Sequence, residues 1–381
     1  MFNLPSREDC QRIVQQSDVF YCTQTKINGF LVEIYNYRLA SYNDFVQNSF
    51  EMRGITFVYD SKKNEWTRHI LMNKFFNVNE NEEWLESRLK TKKVIRVQDK
   101  LDGSIISFVK FPDGSVKAKS KMSFDSEQAI MAQKLYDENE NIRIFIEDCY
   151  KEKVTPIFEL VSPMNQIVLE YNKTELILLQ VRDNESGEYL SEMELFSLSR
   201  RYNIVKSTSY DFDLNELLKD KETQENIEGW VVTFEDGQMA KIKTDWYNRR
   251  HGVISELREN QLIELILNEE IDDVLSMLSE ESEKRRQVLE IQEIVDSIFN
   301  NLVVEFKELR RKYFNDYNED RKSFAMKFKE KSLFGYVMKT LNTSFRDVEQ
   351  IAEKQVKMYI LNNTNTLTKA KEFLKWSIKH I

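Results

Sequence analysis

The groups in this sequence best able to do chemistry are one lysine in a turn, a few carboxylates and paired basic residues. Lys100-Leu-Asp102-Gly103-Ser follows an apolar run ending at Gln98 and precedes another, so the Lys100 amine lies between two strands. A protonated lysine is a poor nucleophile. Desolvation and crowding by other cations lower its pKa and free the amine for covalent catalysis. Arg53, in Glu51-Met-Arg53-Gly, with Lys241 and Lys243, could supply that charge. In Lys241-Ile-Lys243, strand periodicity puts both ammonium groups on one face, and the same holds for Lys119 and Lys121 about Ser120. Either pair alone reads as a solvated basic strand face. Asp102, Glu159 and Glu228 are the candidate carboxylates. Glu159 has apolar flanks (Ile157, Phe158, Leu160, Val161), which disfavour exposure of a lone charge, and Glu228 precedes a strand. By itself Lys-x-Asp-Gly is a weak signal, whose plain reading is a hairpin turn beside a surface lysine. The sequence has no Walker loop, dinucleotide glycine fingerprint, Gly-x-Ser-x-Gly elbow or His-Glu-x-x-His. Its three cysteines (Cys10, Cys22, Cys149) and three histidines (His69, His251, His380) are too scattered for a disulfide framework or zinc site.

The elements that must position these groups change character along the chain. Up to about residue 250, short apolar runs alternate with turns, at 29–35, 54–59, 94–98, 104–109, 115–121, 176–181, 230–234 and 239–243. Pro112-Asp-Gly and Glu235-Asp-Gly-Gln read as hairpin turns. Helical patterns intervene at 126–138 and 191–202. From about 255 onward only Gly335 remains among the glycines, and no proline. Apolar residues at Val288, Ile291, Val295, Ile298, Leu302, Phe306 and Leu309 predict one long amphipathic helix over 284–314, its charged face (Lys284, Arg285, Arg286, Glu290, Glu293) solvated. Helices are also expected at 352–361 and 367–379. The fold class is therefore α+β: an N-terminal domain of largely antiparallel sheet with flanking helices (1–250, with 1–80 a separable subregion), then an all-α domain (251–381). The 381 residues are 41% apolar and 12% aromatic, enough for a sizeable core. No 18-residue apolar stretch supports a membrane span, and the N-terminus has no signal layout, so the expected compartment is a reducing cytoplasm. Net charge is −9, yet residues 321–381 carry 13 basic against 5 acidic groups, a mild pointer to a polyanion.

Five ordered elements carry a resemblance: Glu51-Met-Arg53-Gly, Lys100-Leu-Asp102-Gly103, Phe158-Glu159-Leu, Glu228-Gly-Trp and Lys241-Ile-Lys243. Together they resemble the signature elements of nucleotidyltransferases that form a covalent lysine–AMP. Met72 to Glu80, Ser120 to Ala132, Asn165 to Tyr171, Asn226 to Trp230 and Lys241 to Tyr247 further resemble the ATP-dependent RNA ligase 1 family of T-even-type bacteriophages. The resemblance implies a nucleotidyltransferase domain and an RNA ligase that joins 5′-phosphate and 3′-hydroxyl ends through enzyme–AMP and RNA–adenylate. It implies Lys100 as nucleophile, with Glu159, Glu228, Lys241, Lys243 and Tyr247 catalytic. ATP would meet Tyr35 or Tyr37, Arg53, Lys74, Phe76, Asp102, Gly103, Lys121, Glu159, Lys241 and Lys243. Mg²⁺, or Mn²⁺, would lie by Asp102, Glu159 and Glu228, and Asp272-Asp273 matches a pair tied to a second metal. Gly103 would let backbone approach the nucleotide. Met122 stands where the phage pattern has glycine. The implied partner is RNA, tRNA with a broken anticodon loop, met by the helical domain of a monomer in the cytoplasm of an infected host. A DNA ligase, a capping-type nucleotidyltransferase and a non-catalytic RNA-binding relic are the alternatives; the helical tail lacks the five short strands of an OB-fold. Trp84 and Trp246 are the tryptophans kept open for base stacking.

Overall fold

Asn28 and Gly29 both take positive φ, 51° and 87°, the pair of left-handed residues that turns one strand tightly onto the next. They join β1 (Phe20–Ile27) to β2 (Phe30–Tyr37). With β3 (Ile55–Asp60) and β4 (Glu65–His69) these make an antiparallel sheet in sequence order. The computed structural model describes residues 3–165, 169, 171–250, 258–278, 283–342 and 348–378.

The remaining strands interleave. They are β5 (Phe76–Asn77), β6 (Val94–Lys100), β7 (Ser104–Lys110), β8 (Val116–Ser120), β9 (Val154–Val161), β10 (Glu175–Asp183), β11 (Ser209–Tyr210), β12 (Gly229–Phe234) and β13 (Met239–Lys243). One sheet runs β10-β9-β7-β8, the other β11-β6-β12-β13-β5. Among the described residues the strand pairings within these two sheets are antiparallel except that of β5 with β13. Phe20, Tyr35, Phe57, Phe76, Trp84, Val97, Trp230 and Ile242 form one buried cluster. Residues 20–69 thus have a sheet of their own but share their core with strands from 94–243. Helices Glu127–Glu138, Glu140–Lys151 and Glu192–Tyr202 cover the β10-β9-β7-β8 sheet over Phe108, Phe145, Phe158 and Leu178. Two of them begin at serine caps, Ser126 and Ser191, the latter in a reciprocal capping box with Glu194.

The chain divides into two units, 1–254 and 255–381. The second is helical: Glu259–Leu267, Ile271–Met277, Glu283–Asn315, Arg321–Phe328, Phe334–Lys339, Val348–Thr364 and Leu367–Ile378. Val288, Val295, Ile298, Val303, Phe306 and Leu309 of the long helix are buried. Its charged face is not wholly solvated, however. Arg285 is buried, and its guanidinium donates to the carbonyls of Leu275 and Leu278 at the end of the preceding helix, satisfying groups a helix C-terminus leaves open. Among the described residues no helix is long and apolar enough to cross a membrane.

Candidate active site

Three neighbouring strand ends build the centre. Gly229, the first residue of β12, lies opposite Lys100 on one side and Lys243 on the other. Glu228 just before it is buried, and one of its carboxylate oxygens takes both lysines: Lys100 Nζ at 2.7 Å and Lys243 Nζ at 3.2 Å. Burial alone pushes this carboxyl's pKa up, but Lys100 and Lys243 together hold it below the ordinary carboxylate value. The other oxygen, Oε2, is buried with no hydrogen-bond partner among the described residues. Gly229 has φ +149°, and a Cβ there would fall 1.9 Å from the Ile242 carbonyl oxygen. Only glycine lets β12 and β13 approach this closely beside Glu228.

Gly103 plays a comparable part for the next carboxylate. An added Cβ would lie 2.4 Å from the Leu160 carbonyl oxygen and 3.0 Å from Glu159 Cγ. The neighbour that requires glycine is therefore strand β9 itself, which brings Glu159 against the Lys100–Gly103 turn. Burial pushes the Glu159 carboxyl up to about 8; Lys100 and Arg53 act downward on it, Glu228 and Asp102 upward. Asp102 is a strut. Its carboxylate accepts from Tyr247 Oη at 2.9 Å and from the Leu169 amide at 2.7 Å, and its own amide donates to Tyr171 Oη at 3.1 Å. Of the Asn165–Tyr171 string, 166–168 and 170 lie outside the described residues. Among the described residues no three carboxylate, imidazole or thiol groups converge as a metal-ligand set. Tyr247 and Leu169 engage Asp102, and two lysines hold one oxygen of Glu228.

The other expected cations gather along the first sheet. Lys74 Nζ lies 4.8 Å from the centre of the Phe76 ring and 5.8 Å from that of Tyr37, over which Lys121 Nζ also sits at 5.2 Å. Arg53 reaches the Met72 and Asn73 carbonyls, both at 3.5 Å. Phe76 pairs with Ala240 and Asn77 with Lys241, joining this group to β13. Tyr37 is the tyrosine brought to the cations. Tyr35 is not: its hydroxyl donates to Glu33 at 2.7 Å inside the core. Asp272 and Asp273 occupy the first turn of helix Ile271–Met277 in the second unit.

Two buried cations escaped sequence reasoning. Arg182 is bound bidentately to Glu51, both contacts 2.7 Å, and also donates to the Leu71 and Gly187 carbonyls. Lys119 is buried rather than solvated, because it pairs with Ser107 and the face they share with Val109 packs against Val32, Ile34 and Val58 of the first sheet. Its Nζ donates to three carbonyls, Gly54 at 3.1 Å, Ser120 at 2.9 Å and Lys121 at 3.1 Å, matching the three donors of an ammonium. It thereby ties the Arg53-Gly54 turn to Lys121. Burial first, and Lys121 second, bring its pKa down to about 7. An unfolded lysine titrates at ~10.4. Between those values the unfolded chain binds more protons, so stability rises with pH from about 7 to ~10. Lys119→Met should flatten that rise in urea midpoints measured from pH 6.5 to 9.5; parallel curves for the two proteins would refute it.

A solved structure described as an archaeal ATP-dependent RNA ligase, form 2, superposes with a TM-score of 0.50, covering 81% of this chain and 80% of that one at 10% identity. The mixed α+β fold, sheets first and helices after, is that of an ATP-dependent RNA ligase. A family model described as RNA ligase matches residues 51–247, which hold every site residue above except Tyr35, Tyr37 and the Asp272-Asp273 pair. A Thermovibrio ammonificans protein named "Putative RNA ligase" is 30% identical over 320 residues, 79% of this chain and 82% of its own length. RNA ligase 1 of Bacteriophage TS2126 is 25% identical over 158 residues, 41% of this chain and 40% of its own. The chain belongs to the RNA ligase family.

Proposed function

We propose that the enzyme seals RNA with ATP through an AMP–lysine on Lys100. The observation that carries this is the Lys100 amine, held 2.7 Å from a buried carboxylate that Lys243 shares. Lys100 Nζ gives up a proton and attacks the α-phosphorus of ATP, the P–N bond forms, and pyrophosphate leaves. An oxygen of the RNA 5′-phosphate then attacks that phosphorus and the P–N bond breaks, returning the amine. Finally the RNA 3′-hydroxyl attacks the 5′-phosphorus and AMP leaves. Lys241 and Lys243 neutralise the α-phosphate in the transition state, and Arg53, Lys74 and Lys121 take the rest of the triphosphate. Phe76 and Tyr37 pack beside it, and Asp102 and Tyr247 keep the Lys100 turn in place.

Mg²⁺ or Mn²⁺ fits this site, because Glu228 keeps a buried oxygen without a partner among the described residues and Glu159 stands beside Lys100. Glu159 and Glu228 would hold the ion, in part through its waters. Bound with ATP, it neutralises phosphate charge.

In this reading residues 1–250 are the adenylyltransferase domain, and 251–381 select RNA through the basic 321–381 segment. The physiological substrate is tRNA broken in its anticodon loop, sealed by a monomer in the cytoplasm of a phage-infected cell. Support for this comes from the sequence strings shared with the T-even family and from the distant similarity to the phage TS2126 ligase. Incubation with ATP labelled at the α-phosphate tests the core of the proposal. Label should stay with denatured protein and be released by 5′-phosphorylated RNA. Release by nicked DNA alone would make it a DNA ligase, and folded, ATP-binding protein that takes no label would rule the reading out.

A further inference from the structure

A cavity of about 500 Å³ lies in the first unit, with Lys74 in its wall, a volume suited to a small ligand. Three aromatic rings line it, Tyr42, Phe50 and Trp84, with Asn48 and the carboxylates Glu51, Glu83 and Asp236, while the Gln238 amide in its wall is bonded to Lys92 and to the Glu83 carbonyl. The rings form one connected group: Tyr42 lies 5.9 Å from Trp84 and 6.5 Å from Phe50, centroid to centroid. Trp84 is fixed in place, since its indole N–H donates to the Met239 carbonyl at 2.6 Å and its ring packs on Phe76 at 4.8 Å. Tyr42 and Phe50 are only partly buried. An aromatic wall with the Asn48 amide beside it suits a nucleobase, which stacks by its face and hydrogen-bonds by its edge.

The chemistry says which base. This step rests on the AMP–lysine reading of Lys100. Phosphoryl displacement is in line, with the entering and leaving groups on opposite sides of phosphorus. Pyrophosphate therefore departs on the side away from Lys100. When Lys100 is itself the leaving group, the RNA 5′-phosphate must enter along that same line. The cations that met the triphosphate, Lys74 among them, next meet the RNA phosphate. The nucleoside attached to it would then lie on the side of Lys74, whose residue also lines the cavity. We propose that this cavity receives the base of the 5′-terminal nucleotide of the RNA strand that bears the phosphate.

The test uses the full-length enzyme, already carrying AMP, and measures transfer of AMP to RNA. One oligonucleotide has a normal 5′-phosphorylated terminal nucleotide; the other keeps the phosphate but is abasic at that nucleotide. The wild-type enzyme should need about tenfold or more of the abasic RNA to reach the same half-maximal rate. This arm requires no variant. Tyr42→Ala should raise the KM for normal RNA by a similar factor and add nothing to that for abasic RNA, while Tyr42→Phe keeps the wild-type KM. Formation of enzyme–AMP by each variant shows that it is folded. Equal KM values for the two RNAs with wild-type enzyme would overturn the proposal. So would a Tyr42→Ala defect that appears in the KM for ATP, since the cavity would then serve the nucleotide. Failure of the wild-type enzyme to take AMP at all is a separate result, which removes the Lys100 reading and this proposal with it.

Discussion

Lys100→Ala is expected to take no label from α-phosphate-labelled ATP, a loss of at least about a thousandfold relative to wild type. The amine forms the bond, and Lys243, which shares the Glu228 oxygen at 3.2 Å, comes from another strand. The loss should be chemical and not structural. Lys100 ends β6 with its side chain about one-fifth exposed, and Lys243 still balances Glu228 when it is gone. Thermal unfolding should therefore change little. The sharper check bypasses the lysine. Given RNA already adenylylated at its 5′ end, the variant should still join it to a 3′-hydroxyl, because no bond to Lys100 forms or breaks in that step. A variant that labels normally would remove Lys100 from the mechanism. One that fails on pre-adenylylated RNA as completely as on ATP would show a damaged site.

Arg182→Met should cost about 3–5 kcal/mol of stability, the usual penalty for removing one partner of a buried ion pair. Arg182 is completely enclosed, and its removal strands the Glu51 carboxylate and the Leu71 and Gly187 carbonyls. For a unit of this size the thermal midpoint should drop by roughly 6–20 °C. Met fills much of the volume but offers no donor. Glu51→Leu with Arg182→Met should recover part of the loss, since the orphaned charge is then gone while the two carbonyls remain without a donor. Glu51 stands two residues before Arg53, so adenylylation should slow in the single variant at temperatures where it is still folded. A midpoint within a degree or two of wild type would show that the pair carries no such weight.

What the sequence disclosed and what it hid separate by distance along the chain. Strand β13 was legible from Met239 to Lys243 because alternation is local, and the long helix, Glu283–Asn315, because its stripe repeats every three or four residues. Ser126 and Ser191 mark their helices by cap chemistry alone. The RNA ligase resemblance came from ordered motifs, each a few residues long. Nothing in those motifs marks Arg182 as the partner of Glu51, since a partner is chosen by topology and not by spacing. Tyr35 and Tyr37 are equivalent by periodicity; Glu33 separates them by claiming the first hydroxyl. The two-residue strand β5, parallel to β13, is too short to show a period. Lys119 looked like a surface residue because nothing nearby announces that three carbonyls converge on its amine.

The order of the third sheet, β11-β6-β12-β13-β5, also bears on how the protein is made. Synthesis runs from the N-terminus, so Lys100 leaves the ribosome long before Glu228 and Lys243. Until then β6 lacks β12, the strand it pairs with along most of its length, and such long-range pairing comes late in folding. A nascent chain therefore carries its future nucleophile on an unpaired strand edge, without the carboxylate that holds it or the lysine beside it. Incomplete chains, stalled or cut before β13, should be inert towards ATP, and reactivity arrives only with the last strand of the sheet.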